Sequence, residues 1–240
     1  MHPPLDCGAS NPDVRNTAWR RFILPITRHF RTQRARLLRS IYPDVDEFLV
    51  CDLGGSKHFW TSIAAYIEPR RVDVINVDAA AIDVAGGSEY LSSDRFHFEI
   101  YDGKHIDRPD GHYDLLLCNS VIEHVPPSQR VALAAEMARV ARRLFVQTPA
   151  RAFPVDPHFV MPLVHWLPRP IGRRLARVSP WRLLTRSSGP QCDEYFDETR
   201  LLSRRELERL FPDGFVRVER VLGLPKSYVL IWDRTEQRCS

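Results

Sequence analysis

Cysteine is scarce and scattered. The five in 240 residues, Cys7, Cys51, Cys118, Cys192 and Cys239, are odd in number, stand far apart and form no C-x-x-C pair. That pattern excludes a disulfide framework and a cysteine zinc site, and it fits a reducing cytoplasm. The nine histidines are spread along the chain with no H-x-x-x-H, so no metal is expected. Long apolar runs are missing too. No window reaches the roughly 18 to 20 apolar residues of a membrane span, and "MHPPLDCGAS" lacks the apolar core of a secretory signal. A cytoplasmic chain is expected, with peripheral membrane contact left open. G-x-G-x-x-G and Tyr-x-x-x-Lys are both absent, which counts against nicotinamide-dependent oxidoreduction.

With 44% hydrophobic residues in 240, the chain can bury one substantial core. Short apolar runs alternate with helical patterns, the mark of a sheet covered by helices. "EFLVCDL" (47–53), "VDVINVD" (72–78), "RFHFEIYD" (95–102), "YDLLLCNS" (113–120) and "RLFVQTP" (143–149) read as five parallel strands, with helices over about 59–67 and from beyond Pro127 to about 142. From Pro149 to about Arg200 the rhythm fails: the stretch is rich in Pro, Arg and Trp, and is read as an inserted lid. Ser203 and Glu206 form a capping box that opens the last helix. "FVRVERV" and "SYVLIW", joined near Gly223 and Pro225, read as an antiparallel pair. The expected organisation is a basic helical extension over 1–45 and a domain over 46–240 with its lid at 149–200.

In an open parallel sheet ligands bind beyond the carboxyl ends of the strands, and Asp52, Asp78, Asp102 and Asn119-Ser120 stand there. Gly54-Gly55 permits a sharp turn that a ligand can approach, or is a tight turn and nothing more. Asp78, 24 residues after Gly54, is placed to accept hydrogen bonds from ribose hydroxyls, or to cap its strand.

The motifs "VCDLGGS", "INVD", "IYDG" and "YDLLLCNSVIEHV", which lie between about Phe48 and Thr148, together resemble the class I S-adenosylmethionine-dependent methyltransferases. The resemblance implies an α/β, Rossmann-like, doubly wound and mostly parallel seven-stranded sheet, closed by an antiparallel C-terminal hairpin. It implies that S-adenosyl-L-methionine is the cofactor. Asp52, Gly54, Gly55 and Ser56 would surround its methionine and ribose part, Asp78 the ribose hydroxyls, Asp102 and Gly103 the adenine edge, and Asn119 and Ser120 the floor beneath the sulfonium. The departure from the family is that Ser56 and His58 occupy places where alternate glycines are usual.

"VQTPARAFPVDPHFVMPLVHWLP" resembles a subgroup in which a Pro-rich exit from strand five carries an acid and a His, here Asp156 and His158. A His with a carboxylate neighbour suits removal of a proton from a hydroxyl acceptor. His158 could equally pin the lid, and His124 competes for the catalytic role. The implied activity is methylation, on oxygen, of a small-molecule or lipid- or glycan-linked acceptor. A methyltransferase-like adaptor without turnover and a nicotinamide oxidoreductase are the alternatives.

Eight arginines and no acid lie between Arg15 and Arg39, with Trp19, Phe22, Ile23, Ile26 and Phe30 at helical spacing. The lid repeats the pattern around Trp166, Ile171, Leu175, Val178 and Trp181. Such segments either pack on a core with a solvated Arg face or touch an anionic membrane. Nucleic acid ranks last, because no RNA-reading motif is present. Oligomeric state is not legible.

Overall fold

The structure is a computed structural model, and it describes residues 17–55, 57–78 and 94–234, with side chains described from residue 28 onward except at 57 and 58. Nine strands are formed among these residues. β1 (Leu49–Leu53), β2 (Arg71–Asn76), β3 (Phe96–Ile100), β4 (Leu115–Asn119), β5 (Arg143–Pro149), β8 (Phe215–Val221) and β9 (Leu224–Asp233) make one sheet in the order β3-β2-β1-β4-β5-β9-β8. A small antiparallel pair, β6 (Val155–Asp156) and β7 (Met161–Pro162), stands apart from it. β1 and β2 pair in parallel, as do β2 and β3, whereas β8 and β9 are antiparallel. This is the seven-stranded, mostly parallel arrangement with a closing hairpin that the sequence implies.

Two compact units are distinguished, 1–117 with 136–143, and 118–135 with 144–240. In the first, β1 and β2 read "LVCDL" and "RVDVIN" and are almost wholly buried, as strands covered on both faces must be. Helix α1 (Thr17–Ile41) packs on α2 (Lys57–Ile63). Ala35 and Leu38 of α1 are buried, and so are Trp60 and Ile63 of α2. Each large side chain so buried contributes about 1.5 to 3 kcal/mol relative to exposure. Several arginines of the basic extension bind protein. Arg36 stacks on Tyr66, and Arg39 donates to the carbonyls of Tyr66 and Pro43 and pairs with Asp46 at 2.6 Å. The stretch holding Trp19, Phe22, Ile23 and Ile26 lies outside the described side chains.

In the second unit, residues 149–200 fold into the β6/β7 pair and three short helices, α4 (Arg169–Ala176), α5 (Pro180–Thr185) and α6 (Gly189–Glu198). Phe159, Trp181 and Phe196 are buried there, with Tyr195 stacked on Trp181 at 4.7 Å between ring centroids. Gly172 of α4 is required by packing. A Cβ at that position would lie 2.7 Å from Phe196 Cζ and 2.7 Å from the carbonyl oxygen of Val164. α3 spans Arg130–Val140, and α7 (Arg204–Leu210) opens with the Ser203–Glu206 capping box expected from the sequence. The turn between β8 and β9 is Leu222-Gly223, both at positive φ, and Pro225 already lies within β9. A bulge interrupts the pairing at Glu219–Arg220.

Candidate functional site

In the first unit, the carboxyl ends of β1, β2 and β3 carry most of the residues singled out above. Asp52 is 1% exposed, and its Oδ2 accepts a 2.7 Å hydrogen bond from Trp60 Nε1. Burial pushes its carboxyl up to about 7, although the Trp60 bond and the charge of Arg31 act the other way. Gly54 has φ +69°, and its N–H donates to the carbonyl of Ile75 at 2.7 Å, which ties the turn to β2. A Cβ on Gly55 would sit 1.8 Å from Asp52 Oδ2, so only glycine fits against this carboxylate. The second glycine is therefore fixed by Asp52, even though it stands off the family's usual register.

Asn76, which sequence reasoning passed over, organises the loop. Its amide donates to the carbonyl of Gly55 at 3.1 Å, while its Oδ1 accepts from the N–H groups of Val77 and Asp78 at 2.8 and 3.3 Å. Asp78 lies just beyond the end of β2 and is thereby linked to the Gly55 turn. The only sequence signal for Asn76 is an amide as the last residue of an apolar strand. Asp102 follows β3 and accepts from the N–H groups of Lys104 and His105 at 2.8 and 2.9 Å, and these bonds lower its pKa. It is exposed and caps its own turn, in which Gly103 has φ +78°. Ser56 lies outside the described residues.

In the second unit, β4 ends at Asn119. Ser120 takes φ +57°, its N–H donates to the Gln147 carbonyl at 2.9 Å, and its Oγ donates to Gln147 Oε1 at 2.9 Å. The next turn presents Glu123 and His124. Arg130 holds that turn by donating to the carbonyls of Val125 and Arg200 at 2.9 and 2.7 Å, and the Arg200 N–H donates to the Glu123 carbonyl at 2.8 Å.

Glu123 is fully buried. Its Oε2 accepts from Thr148 Oγ1 at 2.9 Å, and its Oε1 faces His158 Nε2 at 3.7 Å. The other ring nitrogen of His158, Nδ1, lies 3.2 Å from Asp156 Oδ1, and the same oxygen accepts the His158 backbone N–H at 2.9 Å. His124 meets His158 edge-on at 4.9 Å between centroids and stacks on Tyr195 at 5.9 Å. The Asp156-His158 pair and its competitor His124, named from sequence, are thus in one cluster. Glu123 was seen in sequence only as the acid of the Glu123-His124 pair, with no site role, and Tyr195 was not seen at all. The signal for Glu123 is that acid-His pair following an apolar strand, whereas Tyr195 comes from a helix 71 residues beyond His124 and carries no such signal.

Burial would lower the pKa of His158, but the Asp156 and Glu123 carboxylates outweigh it and hold the imidazole above its usual range. The same contacts hold Glu123 and Asp156 low against the opposing effect of burial. His124, desolvated and next to His158, is pushed down to about 4. The cluster therefore sets an imidazole held positive between two carboxylates beside a second imidazole kept neutral.

A sequence profile of the methyltransferase-domain family matches residues 21–213. No curated protein matches the chain in sequence. Among solved structures, the chain is similar in fold to magnesium protoporphyrin IX methyltransferase (ChlM) of Synechocystis PCC 6803, with 11% identity over 87% of this chain and 83% of that one and a TM-score of 0.56. It is also similar to the PH0226 protein of Pyrococcus horikoshii OT3, with 18% identity, 92% and 93% coverage and a TM-score of 0.56. A third neighbour is a SAM-dependent methyltransferase of Aquifex aeolicus, with 15% identity, 81% and 86% coverage and a TM-score of 0.50. At these identities the likeness is one of fold.

Proposed function

The chain belongs to the methyltransferase-domain family with the class I, S-adenosylmethionine-dependent fold, and we propose that it methylates an oxygen of a small-molecule or lipid- or glycan-linked acceptor. The β1–β2 turn suits the cofactor. Gly55 packs directly against Asp52, whose under-compensated carboxyl beneath the turn favours a cationic ligand. Asp52, Gly54, Gly55, Asn76 and Asp78 would hold it, with Asp102 and Gly103 as further contacts. When bound, S-adenosylmethionine supplies a methyl carbon activated by a sulfonium. The chain's own work is then to align the acceptor and take up its proton.

The observation that carries oxygen as the target is the Glu123–His158–Asp156 cluster with His124. A hydroxyl must lose a proton as it is methylated, and the neutral imidazole of His124, set beside the His158 charge and its two carboxylates, can receive it. The test combines calorimetry with product detection. S-adenosylmethionine and S-adenosylhomocysteine should bind and NAD should not, and Gly55→Ala should abolish that binding. Methyl-labelled cofactor incubated with enzyme and cell extract should yield labelled ethers or esters by mass spectrometry. His124→Ala should slow labelling by about 10²- to 10⁴-fold, the usual worth of a proton-transfer group, with cofactor affinity nearly unchanged. Full-rate labelling in that variant, or label found only on nitrogen or carbon, would refute the oxygen assignment.

A lipid-linked acceptor is supported by a second observation. Leu163, Trp166, Ile171, Leu175, Val178 and Leu183 are all exposed along 163–183, and Arg174 and Arg186 are exposed beside them. Apolar side chains flanked by free positive charge suit the surface of an anionic bilayer. No helix among the described residues is long and apolar enough to cross one.

A further inference from the structure

We propose that Glu123, His124 and His158 bind one divalent transition-metal ion of the zinc type, with Asp156 as the positioning residue behind His158. One ligand atom from each of the three lies within 4.8 Å of the others. Two details point to a cation. Glu123 is fully buried, and its Oε1 accepts no hydrogen bond among the described residues while Oε2 is taken by Thr148. His158 Nδ1 is held by Asp156 at 3.2 Å, which sets Nε2, whose proton a metal ion would displace, facing that same Oε1 across 3.7 Å. The gap is too long for a hydrogen bond. It is close to the separation of two ligands on one ion, since metal–ligand distances of about 2.0 to 2.2 Å place neighbouring ligands roughly 3.3 to 4 Å apart.

The supporting shell is in place. A carboxylate that fixes the far nitrogen of a ligand imidazole is the usual partner of metal-bound histidine. Arg130 and the Arg200 N–H fix the turn that carries Glu123 and His124, and the His124 ring is braced on Tyr195. Two imidazoles with one carboxylate suit zinc or cobalt better than magnesium or calcium. Three protein ligands leave a coordination position open, where an acceptor oxygen would bind and lose its proton readily. That role in transfer rests on the methyltransferase reading, whereas metal binding does not. The expectation of no metal came from spacing along the chain, which does not detect ligands 34 residues apart.

The test uses tag-free full chain, stripped with chelator and dialysed, without cofactor or acceptor. Calorimetry with Zn²⁺ should find one equivalent, and Co²⁺ should develop visible d–d bands. Glu123→Gln and His124→Ala should each weaken binding by about 100-fold or more, and Asp156→Asn by about 10- to 100-fold, as loss of an outer-shell partner does. Circular dichroism checks that the variants fold, and His124→Ala carries the test if Glu123→Gln does not. Absence of binding below about 1 mM Zn²⁺ in the wild type, which is weaker than about −4 kcal/mol, would overturn the proposal. So would one equivalent bound equally well by His124→Ala. S-adenosylhomocysteine binding on the same stripped sample keeps the two readings apart: its presence without zinc binding sinks only the metal site, and its absence sinks the cofactor assignment.

Discussion

Asp52 sits beneath the β1 turn, removed from water, with one indole N–H as its side-chain hydrogen-bond donor among the described residues. Its pKa rises from 3.8 to about 7, chiefly through burial. The folded chain therefore keeps a proton on this group at pH values where the unfolded chain has lost it. The sign follows: the stabilisation is complete below about pH 4 and is lost as the pH climbs through about 7. The difference from 3.8 to about 7 corresponds to at most about 4 kcal/mol. Asp52→Asn keeps the shape and cannot ionise, so its unfolding free energy should fall less than wild type's between pH 4 and 8, as urea titrations at several pH values would show. Parallel curves for the two proteins would mean that Asp52 is ionised throughout. Sequence could show that an acid ends β1. It could not show that the acid presses on Gly55, because that contact depends on the fold of the turn.

At the scale of elements, α4 gives an inverted test of a familiar rule. Glycine inside a helix is normally about 1 kcal/mol worse than alanine. At Gly172, however, a methyl group meets the Val164 carbonyl and the Phe196 ring, each at 2.7 Å. Overpacking of this kind costs about 1 to 3 kcal/mol, so Gly172→Ala should lower the melting temperature by several degrees, and an unchanged or raised value would show that α4 shifts freely on α6. The same scale explains what could be read in advance. β5 was legible with its bounds, Arg143–Pro149, because an apolar run is closed on one side by arginines and on the other by proline. The α7 cap was legible because Ser and Glu three residues apart satisfy each other locally. The helical character around Ile171 and Leu175 was legible from their spacing, but β6, β7 and the bounds of the short helices were not, since Pro-rich segments of two to ten residues are too short to fix their ends. The Glu123 cluster lay half in view, as an acid-His pair in one segment and a second acid-His pair in another. Only the folded chain shows that they face each other.

Across the whole molecule, positive charge is concentrated in segments whose arginines divide into two kinds. Arg36 and Arg39 of α1 bind Tyr66, Pro43 and Asp46, and Arg173 and Arg177 pair with Asp197 and Asp193. Arg174 and Arg186 remain exposed among the apolar side chains of 163–183. If that surface meets lipid, the protein should sediment with anionic vesicles and not with neutral ones. Each basic residue near the surface contributes about 1 kcal/mol, so 0.5 M salt should release most of it. Trp166→Ala with Leu183→Ser should weaken the remainder. Equal sedimentation with both vesicle types, or none with either, would leave this surface to a different partner. At the outer edge of the sheet, the bulge at Glu219–Arg220 and the charges of Arg217, Glu219 and Arg220 kink and charge the open hydrogen-bonding row of β8. A second copy cannot lay a strand along that edge without burying those charges, so crowded solutions of this protein are kept from growing fibres in the direction in which its sheet would otherwise extend.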